Sequence, residues 1–129
     1  MSDTSTETAI ESYRQTLSEL ADLVGAEGHT ENTRRRERLA DQLQTQRRLL
    51  RGSPEGQAAI TALLADPRPA VRVWSAGHAL LWDEDRARPA LMEIRDDPLQ
   101  YGLHSIVAKH TLLEYDAGRL DADARLPGG

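Results

Sequence analysis

Apolar positions along this 129-residue chain recur at intervals of three and four, the spacing of one helix face, in six successive stretches. In the first, Ile10, Tyr13, Leu17, Leu20, Ala21 and Val24 form one stripe. Thr4 and Glu7 precede it at capping-box spacing, and Gly25 and Gly28 are placed to end it. The second stretch opens at Thr30, a plausible N-cap. Its stripe is thinner: Leu39, Leu43 and Leu50, with Ala40 and Arg36 or Arg47 filling the gaps. Gly52-Ser53-Pro54 then supplies a C-cap glycine, an N-cap serine and a first-turn proline. Ala59, Ile60, Leu63 and Leu64 line the short helix that follows, and the two prolines of Asp66-Pro67-Arg68-Pro69 stop it.

The densest apolar run is DPRPAVRVWSAGHALLW, which holds both tryptophans. Val71, Trp74, Ser75, His78 and Trp82 fall on one stripe of its helix, and Val73, Ala76 and Leu80 on another. A helix apolar on more than one face is a central helix with neighbours on both sides. Asp83-Glu84-Asp85 suits the start of the next helix, whose buried side is Ala87, Ala90, Leu91 and Ile94. Pro89 implies a late start near Arg86 or a kink. Asp97-Pro98 repeats the cap-plus-proline start. Leu103, Ile106, Val107, His110 and Leu113 then make a stripe out to Tyr115, with Gly118 as the C′ residue and Leu120 folding back.

No strand signal competes, so the pattern predicts an all-α fold of six helices in three antiparallel hairpins. Residues 1–6 form a frayed start, 7–118 a single domain (a long hairpin over 7–51, shorter pairs over 54–118), and 119–129 a loose tail.

Composition narrows the chemistry. Cysteine is absent, which excludes disulfides, thiolate metal sites and thiol nucleophiles. The start MSDTSTETAI has neither the basic nor the apolar part of a signal peptide, and no run is long enough to span a membrane, so a cytoplasmic setting is expected. Formal net charge is −5, which disfavours general nucleic-acid binding and suits a basic protein partner. Against that balance, Arg34, Arg35, Arg36 and Arg38 form a basic run. It reads either as a phosphate- or acid-binding patch or as a solvated helix face paired with Glu31, Glu37 and Asp41.

No enzyme class emerges. His78 sits one turn from both tryptophans on the central helix, where a hydrogen-bonded inter-helix histidine is expected. His104 and His110 do not share a face, and His29 falls in a hinge. There is no HExxH pair and no phosphate-cradling glycine loop. No catalytic residue, metal ligand or cofactor is therefore assigned.

The block Asp66-Pro67, Val71-Arg72, Ser75-Ala76 resembles the HEAT-type α-helical repeat, in which an Asp-Pro turn is followed by Val-Arg and two small residues. The resemblance covers residues 60–81. It implies a HEAT/ARM-like α-α superhelix and an ion pair between Arg72 and Asp66. Over residues 58–120, through DPRPAVRVWSAGHAL, ALMEI and AKHTLLEYDAGRL, the chain is similar to a small bacterial family, the domain of unknown function 2019. In helical-repeat stacks the second helix of each pair lines the concave face, here around Arg36, Trp74 and Lys109.

The resulting expectation is a non-enzymatic protein-binding module, in the manner of an immunity protein that neutralises a basic bacterial toxin domain. Trp74, Trp82, Asp83, Glu84 and Asp85 are its candidate binding residues, since aromatic anchors dominate interfaces and acid-on-basic charge speeds encounter. A nucleic-acid-binding repeat using the arginine run and a self-associating or adaptor module are the alternatives.

Overall fold

A computed structural model defines the backbone of residues 3–23 and 30–120 and the side chains of residues 6–23 and 33–120. Seven α-helices and no strand occur among these residues: α1 (Asp3–Asp22), α2 (Thr30–Leu50), α3 (Pro54–Ala62), α4 (Pro69–Ala79), α5 (Glu84–Arg95), α6 (Pro98–Tyr101) and α7 (Leu103–Asp116). A 3-10 turn, Leu63–Ala65, extends α3. The expected roles of Val24, Gly25, Gly28, His29 and the tail sequence DADARLPGG lie outside the described residues.

Local chemistry sets most helix ends. The Ser53 hydroxyl accepts the Gly56 N–H at 3.0 Å, with Pro54 at the first helical position. Asp97 repeats the arrangement, accepting from the Gln100 N–H at 3.2 Å ahead of Pro98. At the end of α7, Gly118 takes φ 75°. Its N–H bonds the Tyr115 carbonyl and that of Arg119 the Glu114 carbonyl, which is the Schellman pairing, and Leu120 folds back into the core. Elsewhere the ends depart from expectation. The helical backbone already runs at Asp3, so Thr4 lies inside the first turn and not at its cap. Neither glycine nor proline interrupts this stretch, and nothing there stops the helix from propagating back. Helix α5 starts at Glu84 and carries Pro89 inside it, on its exposed side.

The helices pair as α1 with α2, α3 with α4 and, across the short α6, α5 with α7. Helix α4 also packs on α1, α5 and α7, which makes it the central element that its two apolar faces predict. Val71, Val73, Ala76, Ala79 and Leu80 are buried in one core cluster with Tyr13, Leu17, Leu43, Leu91 and Ile94. His78 is buried too, its Nδ1 sharing a 2.6 Å hydrogen bond with the Tyr13 hydroxyl. That bond joins the first hairpin to the central helix.

Two expectations are overturned. Asp66 does not pair with Arg72; it is held by Arg68, whose Nε lies at 3.1 Å and whose backbone N–H also donates to it. The Asp-Pro-Arg turn brings Arg68 back onto the carboxylate two residues earlier, before a residue on the helix can reach it. Arg72 instead stacks on the Tyr101 ring and approaches Glu93 at 3.7 Å. Secondly, α7 does not bury its large apolar stripe. Its buried face is Ser105, Ala108, Thr111 and Leu112. These small residues let α7 pack closely on its neighbours. The Ser105 and Thr111 hydroxyls donate to the Gly102 and Val107 carbonyls at 2.7 and 2.8 Å, so neither is buried unsatisfied.

Candidate protein-binding groove

Helix α4 forms the floor of a groove of about 560 Å³, presenting Ala70, Val73 and Trp74, which share one face at intervals of three and four. Leu20 of α1 and Arg36 of α2 form one side. The other side comes from α6 and α7. Gly102, at φ 55°, turns the chain between those two helices in a conformation an L side chain rarely adopts. Leu99 thereby stands at the lip, with Leu103 and Ile106 one turn apart along the wall. Leu99 is fully exposed, Leu103 69 % and Ile106 50 % exposed. Leu113 continues this apolar stripe along α7 and is also exposed.

Two half-buried polar groups in the groove are uncommitted. The Trp74 indole N–H has no hydrogen bond among the described residues; its ring meets His78 edge-on at 6.2 Å. Arg36 is half-buried and has neither an ion pair nor a hydrogen bond among them. His104, also on the wall, has its pKa lowered by partial burial, which favours the neutral imidazole. Arg36 is therefore the one fixed charge among the groove's described lining residues.

The five residues expected to bind a partner do not form one site. Helix α4 ends at Ala79, so Trp82 leaves the stripe it would share with Trp74 and turns toward α3. Its indole N–H donates to Thr61 Oγ1 at 3.0 Å, and its half-buried ring lines a separate hollow with Ala58 and Asp83. Asp83 occupies the N-cap position of α5 without a capping bond and approaches Arg86 at 3.7 Å. Glu84 accepts from the Tyr115 hydroxyl at 2.7 Å and from Arg88 at 3.0 Å. These two bonds, the tyrosine's first, hold its carboxyl below the usual range. Arg88 continues to Asp116 at 2.6 Å, so Glu84 belongs to a tie between the start of α5 and the end of α7. Asp85 faces another hollow, shared with Arg86, Ala90 and Glu93, and has no ion partner among the described residues.

The arginine run is also divided. Arg34, Arg35 and Arg38 are exposed, and Arg35 reaches Glu19 on α1 at 3.3 Å, while Arg36 alone lines the groove. Lys109, expected beside Arg36 and Trp74, is exposed and does not line it. Among the described residues no cluster of three His, Asp or Glu side chains is placed to hold a metal, and no helix is long and apolar enough to cross a membrane.

Sequence reasoning placed Arg36 and Trp74 on a common face but missed Leu99, Leu103 and Ile106 as exposed. For Leu103 and Ile106 the signal is the competing periodicity of α7, in which Ser105, Ala108 and Leu112 follow at helical spacing and offer a second face to bury.

No family model, curated protein or solved structure matches this chain. What the structure defines is a class, an all-α protein with an open apolar groove over its central helix.

Proposed function

We propose that the protein is a non-enzymatic protein-binding module that receives its partner in the groove over Trp74. One observation carries the reading: Leu99, Leu103 and Ile106 stand exposed and adjacent around a concave, aromatic-floored surface. Contiguous exposed apolar side chains around a pocket mark interaction sites, and tryptophan is a favoured anchor. The pairing of helices along the chain, with α2, α4 and α7 all contributing to the groove, supports a HEAT-like repeat whose second helices form the binding face.

As the biological role we infer an immunity protein against a bacterial toxin domain. The net charge of −5 and the uncommitted Asp85 favour encounter with a basic partner. The test is a pull-down of the product of the adjacent gene, with three forms of the protein. Loss of capture by Trp74→Ala with Leu103→Asp supports the groove. Loss only with Trp82→Ala and Asp85→Lys moves the site to the start of α5. Capture unchanged by both pairs removes both surfaces, and a neighbour with no toxin activity removes the immunity role.

A further inference from the structure

Resting on the groove as the binding site, we infer that its occupant is a protein segment carrying a carboxylate beside apolar side chains. The groove offers apolar contacts on three of its sides and a single fixed charge, Arg36. A guanidinium that is half-buried beside Leu20 and Trp74 has lost part of its hydration without gaining an acid. Arginines elsewhere in the fold show the contrast: Arg35, Arg68, Arg88, Arg95 and Arg119 each hold a carboxylate within 3.3 Å. An Asp or Glu arriving with the ligand completes the pairing that the chain leaves open, and Arg suits it through its bidentate fork. A lysine or arginine at the same place in the ligand is repelled, so Arg36 selects as well as attracts. The Trp74 N–H adds a second donor, suited to a backbone carbonyl or the same carboxylate.

The acid requirement opposes what the whole-chain charge suggests. Net charge governs long-range approach, whereas the charge lining the groove governs the docked complex. A partner basic overall satisfies both when the segment it inserts is acidic.

The experiment is selection of random short linear peptides, displayed on phage, against the full-length protein, followed by affinity measurement of the enriched peptides. The expected result is peptides that combine Leu, Ile or aromatic residues with an Asp or Glu. Replacing that acid by its amide, or Arg36→Gln in the protein, weakens binding about tenfold or more. Arg36→Glu shifts the selected residue to Lys or Arg. Enriched peptides that lose binding with Leu103→Asp but are indifferent to Arg36→Glu overturn the acidic occupant and leave the groove as the site. Peptides indifferent to Leu103→Asp, or no enrichment at all, overturn the groove as well. A dimer of the protein alone that Leu103→Asp dissociates assigns the groove to a second copy and likewise overturns this inference.

Discussion

Tyr13, Arg47 and His78 meet inside the core, all 2 % exposed or less. Burial, reinforced by the charge of Arg47, pushes the His78 imidazole well below its ordinary pKa, and burial raises that of the Tyr13 phenol. His78 is therefore neutral in the folded protein while an unfolded chain protonates it near pH 6.5. Stability is then level above that pH and declines as pH falls below it, by up to about 1.4 kcal/mol per pH unit for this group. His104, also depressed by burial, acts in the same direction. Urea midpoints between about pH 7.5 and 5 check this, a range above that in which carboxylates titrate. Tyr13→Phe leaves the buried Nδ1 without its partner and is expected to cost about 1–3 kcal/mol by the same measurement. Gly56→Ala is expected to cost a similar amount, about 1–3 kcal/mol, because a Cβ there would collide with the Leu50 backbone. His78 as an inter-helix hydrogen-bonded residue was legible in the sequence from its place on the central helix. Arg47 as a core residue was only half legible: its position filled a gap in the α2 stripe, and spacing does not say whether a long side chain buries its head or reaches water.

At the scale of elements, sequence reading succeeds where the controlling atoms are close in the chain. Ser53-Pro54, Asp97-Pro98 and Gly118 act within a few residues of the helix ends they set. It fails for α7, where two faces are each regular enough to bury and the choice belongs to α4 and α5. Close packing selects the small face of Ser105, Ala108 and Thr111, leaving Leu103, Ile106 and Leu113 outside. Paired substitutions check that assignment. Leu103→Asp should leave the melting midpoint nearly unchanged, within about 0.5 kcal/mol. Ala108→Leu, by contrast, should destabilise by about 1–3 kcal/mol through overpacking. Equal losses from both would contradict the orientation of the helix. The fate of Trp82 follows similar logic, since the stripe argument assumes a helix that continues, and α4 stops three residues short.

Across the whole molecule, the groove exists because two separate parts of the chain converge on α4. Leu20 and Arg36 arrive with the first hairpin, and Leu103 and Ile106 through the Gly102 turn. No local pattern encodes that convergence, which is why Arg36 and Trp74 could be placed on a common face while the opposite wall could not. The acidic start of α5, attractive in the sequence as a partner-binding cluster, is largely consumed by the fold: Asp83 faces Arg86, and Glu84 joins Tyr115 and Arg88. Asp85 alone of the three stays unpaired among the described residues, whereas Arg36 and the Trp74 indole N–H stand uncommitted in the groove. The most direct test of that assignment follows Trp74 emission in a Trp82→Phe background during titration with an enriched peptide. A saturable change in emission, with affinity lost in Leu103→Asp at an unaltered melting midpoint, is the predicted result. Binding of undiminished affinity to Leu103→Asp, with Trp74 emission unmoved, would contradict it.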